Sequence, residues 1–257
     1  MRSIALVLMA SALTMAPQGH AGEAVAVRYP EGPLNERLVL RAPGGSLLAE
    51  GEMSQAVEGA LVTTRVVFHF NDGSLHDETV VFSQDRELRF VRDRLVQRGP
   101  AFPRSIDMSV DGASGQVTVA YSEGSGQAKH VEREYEIPAN LANGMVPVVL
   151  KNLGPDRPWP ELSLIVATPS PRLVRLEVKS ATADRVAPVQ NGEERPATHY
   201  VLKAEIGGVA GFFAPLVGRQ PPDSHVWIAG GNPPIYLRSD QPFYVGGPLW
   251  RMEVAGD

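Results

Sequence analysis

Apolar and polar residues alternate with a period of two along most of this chain. The stretches TTRVVFHF, ETVVFS, ELRFVRDRLV, SIDMSV, GQVTVAYS, KHVEREYEI, LSLIVAT, RLVRLEVKSA and HYVLKAEI are rich in Val, Leu, Phe and Tyr at strand spacing. That is the pattern of strands with one buried face. Between them lie NDGS, VDGASGQ, SEGSGQ, ATPSPR and NGEERP, where glycine supplies positive φ and Asn, Asp or Pro caps or stiffens the turn. Short strands joined by such turns predict a mainly β, antiparallel fold: one curved sheet or an open barrel, with at most one or two short helices. The helix candidate is PANLANGMVPVVLKNL, where Asn140 offers an N-cap and Gly144 and Pro147 interrupt the run. The stiff stretch GPDRPWPE, residues 154–161, reads as a long corner or a boundary between two sub-lobes. A single mature domain over residues 22–257 is the expected organisation.

The N-terminus changes the picture. MRSIALVLMASALTMAPQGHAGEAVA carries Arg2, an apolar run from Ile4 to about Met15, then small residues and Pro17. This is the order of a secretory signal over residues 1–21, with the cut after Ala21. The run is shorter than the roughly 20 residues of a spanning helix, so the mature chain is expected to be exported, soluble and without a transmembrane segment. In a Gram-negative source it would be periplasmic. Cysteine is absent, which excludes disulfides, thiol nucleophiles, thiolate metal sites and acylation at an N-terminal cysteine. The formal charge of −5 gives no basic footprint, so nucleic acid is not an expected partner. The densest basic run, RELRFVRDRLVQR at residues 86–98, reads as a solvated strand face.

Two stretches carry candidate chemistry. In FHFNDGSLHDE, a two-residue turn or a four-residue loop places His69 opposite His76, with Glu78 diagonal to His69. Two imidazoles and a carboxylate on one face suit zinc or copper. A three-residue loop instead sets His76 opposite Phe68 and turns the two histidines to opposite faces. A metal-dependent hydrolase rests on that register alone. His130, His199 and His225 are scattered, and Ser224 and His225, as strand neighbours, point apart. No nucleophile elbow, helical H-E-x-x-H or phosphate loop is present. A non-enzymatic role is therefore favoured, with no cofactor expected. The second stretch lies near the C-terminus, where Phe212, Phe213, Leu216 and Val217 cluster between Gly211 and Gly218. Glycine and proline pairs then bracket Trp227, Tyr236, Phe243, Tyr244 and Trp250. These aromatics either seal the open end of a curved sheet or rim an apolar pocket, with Arg219 and Asp223 as polar anchors.

The segments FNDGSLHDETVVF, RDRLVQRGPAFPRSIDMSVD, GFFAPLVGRQPPDSHVWIAGG and GGPLWRMEV resemble a family of exported bacterial proteins of unknown function. The resemblance implies export and carries no activity. More weakly, the strand-rich, one-helix order is similar to curved-sheet periplasmic lipid and lipoprotein carriers, in which a half-barrel holds acyl chains beneath a helical cover. This chain has one poor helix candidate for such a cover. The leading expectation is binding of a lipid-like, apolar or amphiphilic ligand at the cell envelope. The ligand would sit between the sheet interior and residues 211–218, against Phe212, Phe213, Leu216, Val217, Arg219 and Trp227. Its rivals are an interaction module that docks on an envelope protein, and the hydrolase around His69, His76 and Glu78.

Overall fold

The computed structural model describes residues 22–124, 126–153, 158–186, 194–205 and 221–255. Among these residues the alternating segments become fourteen strands and one helix. In chain order they are β1 (Leu34–Arg41), β2 (Leu47–Glu58), β3 (Leu61–Phe70), β4 (Leu75–Gln84), β5 (Leu88–Arg98), β6 (Ser105–Asp111), β7 (Gln116–Ser122) and β8 (Lys129–Glu134). After α1 (Val146–Asn152) come β9 (Leu162–Val166), β10 (Arg172–Val186), β11 (Arg195–Glu205), β12 (Ser224–Ala229), β13 (Ile235–Pro242) and β14 (Leu249–Val254). All belong to one antiparallel sheet. Strands β1 to β8 meander away from the centre, β9 to β14 meander back towards it, and the pairing of β1 with β14 joins the two halves. The sheet is open, with β8 and β9 at its edges. It runs on past residues 154–161, since β9 pairs with β10 in the same sheet.

One face of this sheet is buried against α1. Leu38, Leu40, Phe68, Phe82, Leu202 and Val226 share a cluster with Val148, Val149 and Leu150 of the helix, so the sheet curls around a segment of its own chain. Asn140 does not cap the helix, as the sequence had suggested. The N-cap is Met145, which makes no side-chain bond, and Pro147 lies in the first turn, where its missing N–H has no partner to lose. Pro147 therefore starts the helix and does not break it. At the other end, the Asn152 side chain accepts from the backbone N–H groups of Arg28 (2.7 Å) and Tyr29 (2.8 Å). Lys151 pairs with Glu31, both side chains largely shielded from solvent. These bonds tie α1 to the N-terminal segment.

The sheet edges are managed differently. Strand β8, KHVERE, is almost wholly exposed, and its charges discourage pairing with another chain. Strand β9 is covered by residues 140–143. Ala142 N donates to Ser163 O (2.8 Å) and Ser163 N to Asn140 O (3.0 Å). The Asn143 amide continues the ladder with its side chain: Oδ1 accepts from Ile165 N and Nδ2 donates to Ile165 O, each at 2.8 Å. Leu141 and Ile165 then pack on Ile106 and Met108 of β6. The 140–145 segment thus bridges β9 to the first half of the sheet.

Candidate functional site

The hairpin between β3 and β4 has a three-residue loop. Phe70 N donates to Ser74 O at 3.0 Å, and Phe68 stands opposite His76 while His69 stands opposite Leu75. His69 is exposed and His76 is buried, so the two imidazoles lie on opposite faces of the sheet. Neither the two-residue turn nor the four-residue loop forms, and His69 is not brought to His76 and Glu78. The physical reason is local: the Asp72 carboxylate accepts from Ser74 N at 2.9 Å, and Gly73 takes φ 84°, which closes the loop one residue later than a two-residue turn. Among the described residues no group of three or more His, Cys, Asp or Glu side chains is arranged to hold a metal ion. The register makes a direct prediction. His69→Ala should leave urea stability unchanged within about 0.5 kcal/mol, while His76→Ala should lower it by about 2 kcal/mol.

His76 instead begins a polar seam on the inner face of β4 and β5. Its ring packs edge-on to Phe243 at 5.0 Å. Gln97 Nε2, which can only donate, meets His76 Nδ1 at 3.1 Å and Phe243 O at 2.6 Å, so the imidazole proton belongs on Nε2. Burial pushes the His76 pKa down to about 4, and the ring is neutral at ordinary pH. Next along the seam come Glu78 and Asp93. Burial raises Glu78 to about 7. Asp93 is pushed well above the carboxylate range by burial and by the Glu78 charge, against weaker opposition from Asn143 and the Arg94 backbone N–H.

Asp93 was invisible in the sequence for a specific reason. In the run of residues 86–98, Leu88 and Phe90 lead the eye to even positions as the apolar set. A bulge intervenes: Phe82 pairs with Phe90 but Val81 pairs with Arg92, which leaves Val91 as an extra residue. Beyond it the phase inverts, and Asp93, Leu95 and Gln97 turn inward while Arg92, Arg94 and Arg98 face solvent. The solvated arginine face expected of this run is present; Asp93 does not belong to it.

Trp227, expected in a ligand-contacting set, lies on the outer face at the centre of a stack. On β12 it pairs with His199 of β11 and with Arg238 of β13. The His199 ring lies parallel at 4.3 Å and 2°, and the Arg238 guanidinium carbon sits 4.1 Å from the indole centroid. Trp227 Nε1 donates to Asp184 Oδ2 at 2.7 Å, which holds that carboxylate below its usual range. His199 Nε2 meets His225 Nδ1 at 2.9 Å, so one ring donates and the other accepts. Burial, then the His225 charge, lowers the His199 pKa. The indole is 6 % exposed. Its faces are taken by its own neighbours, and it offers no open platform to a ligand.

The rest of the expected ligand set, Phe212, Phe213, Leu216, Val217 and Arg219, lies outside the described residues. Asp223 is described and pairs with Lys179 at 3.4 Å. Elsewhere, two open hollows of about 490 and 400 Å³ adjoin on the outer face of β5 to β8, sharing Arg94, Ser109 and Thr118. Arg94, shared by both, is paired with Asp107, and Arg92 of the first stands opposite Asp111 on β6. The geometry as a whole defines a class only: an open antiparallel β-sheet wrapped on a short helix, with buried ionisable groups in its seam. Compared with protein-family models, curated proteins and solved structures, the chain matches none.

Proposed function

We propose that the mature chain is a non-enzymatic binding module of the cell envelope that engages a partner protein from its surface. The observation supporting this reading is the filled interior. Where a carrier would hold acyl chains, the inner face packs on Val148, Val149 and Leu150 of α1 and on Met145. An inner face already covered by the chain's own side chains is less suited to hold cargo. What the sheet can offer a partner therefore lies outside it, and the apolar stretch Phe212, Phe213, Leu216 and Val217 is the contact element the sequence provides. An amphiphile taken up by the same stretch is the second reading, since four apolar side chains between two glycines also suit an acyl chain.

Crosslinking of the mature chain in its native envelope, followed by native mass spectrometry, separates these readings. The expected result is one defined partner chain, lost in the Phe212→Ser/Phe213→Ser double variant while the circular dichroism of the fold is unchanged. A copurified lipid mass without a crosslinked chain would establish the carrier instead. Hydrolysis that stops with a chelator would replace both with an enzyme.

A further inference from the structure

Between β4 and β5 the inner face carries two carboxyl groups where a sheet interior ordinarily carries alkyl chains. Glu78 stands opposite Leu95, and Asp93 opposite Val80, which makes the two acids diagonal neighbours. Diagonal Cβ atoms lie within about 7–8 Å, near enough for the side chains to interact. Asp93 is 2 % exposed, and its Oδ1 has no hydrogen-bond partner among the described residues. Oδ2 receives a long 3.5 Å contact from Asn143 Nδ2, and the Arg94 backbone N–H gives the carboxylate weak further support. Above the pair lies the 140–145 segment. Gly144, at φ +62°, approaches so closely that a Cβ there would be 3.0 Å from Val80 and 3.5 Å from Glu78 Oε1.

Among the described residues, the groups facing this pair from the packed elements bring no cation. On β4 the neighbour is His76, neutral and bonded to Gln97. Across the pair, β3 offers Thr64 and Val66, β5 offers Leu95 and Gln97, and β6 offers Met108 and Val110. The covering segment contributes Asn143 and Gly144. Arg92 and Arg94 flank Asp93 in sequence but are exposed on the other face. Two carboxylates in a sheet interior, Asp93 buried and Glu78 half-buried, with no counter-charge among the described residues, are not both ionised without penalty. The orphaned Oδ1 is the acceptor that a proton held by the pair would satisfy.

We propose that Glu78 and Asp93 form a proton-operated latch. While the pair holds its protons, the 140–145 segment is seated across β4 and β5; when both groups ionise, their repulsion unseats it and opens the seam between β9 and β6. Seating the segment sets Asn143 on the Ile165 amide and carbonyl of β9 and Leu141 on β6, so unseating it opens the Ile165 amide along with the seam. In the unfolded chain both groups titrate near 4, while the native pair retains protons well above that. The native state therefore binds more protons, and its stability falls as pH rises from about 4 through about 7, where Glu78 titrates.

Thermal unfolding and normalised hydrogen-exchange protection, both measured from pH 5.5 to 8.5, test the latch. Wild-type Tm is expected to fall by about 5 °C or more across this range. Protection at the Ile165 and Met145 amides should drop at least tenfold while that of Leu40 in β1 stays constant. The Glu78→Gln/Asp93→Asn variant should flatten both profiles. Equal slopes in wild type and variant would overturn the proposal. So would a flat wild-type profile at Ile165, which decides the matter even if the double variant does not fold.

Discussion

Trp227→Ala is expected to lower the stability of the mature chain by about 3–5 kcal/mol, read from urea unfolding followed by far-ultraviolet circular dichroism. The substitution removes a side chain that is 6 % exposed, its parallel stack on His199 and its contact with the Arg238 guanidinium. A cation over an indole contributes about 0.5–2 kcal/mol, according to how far it is desolvated. Arg238 is partly buried and its Nε is without a hydrogen-bond partner among the described residues. With the indole gone, water reaches that nitrogen and offsets part of the loss, which places the value below the sum of the separate contacts. Trp227→Phe separates the ring from its donor. It keeps most of the stack, loses the bond to Asp184, and should cost clearly less than the alanine substitution because that carboxylate is exposed.

The second large effect is at Asn143. Replacement by alanine should cost about 3–4 kcal/mol, because it strips a buried partner from both the N–H and the C=O of Ile165. An unsatisfied buried backbone group costs about 1–3 kcal/mol each. Asn143→Asp is more informative than alanine. It keeps the acceptor for Ile165 N–H, removes the donor, and sets a third carboxyl beside Glu78 and Asp93. Urea unfolding at pH 5 and pH 8 should therefore show a larger deficit at the higher pH for Asn143→Asp than for Asn143→Ala. Equal deficits at the two pH values would mean that the charge at position 143 does not sense the pair.

Both positions show how far a strand pattern carries. Asn143 lies in a stretch whose composition suggested a helix with Asn140 as its cap. The chain instead uses residues 140–143 to cover the free edge of β9, and the helix begins only at Val146. Nothing local distinguishes an asparagine that caps a helix from one that completes a distant strand, because both roles need the same short amide. His199 and His225 were two scattered residues in sequence, 26 positions apart. They meet because β11 and β12 pair antiparallel, with His199 opposite Trp227 and Val201 opposite His225. The hairpin at residues 70–75 is the intermediate case. Its position was plain from NDGS between two apolar runs, and its possible registers could be enumerated. Asp72 and Gly73 then selected the three-residue loop, through a side-chain bond to Ser74 and a positive φ.

The period-two alternation and the glycine-rich turns determined by themselves that this chain is an antiparallel β-protein with little helix, because a strand with one buried face imposes that period locally. Tertiary structure alone decided which end of each meander meets the other, namely β1 against β14, and that the interior is filled by the chain's own helix. It also decided the buried chemistry. One extra residue at Val91 inverts the phase of β5 and turns Asp93 from the solvent face to the core beside Glu78. A bulge is a property of two paired strands, so neither strand's sequence carries it alone.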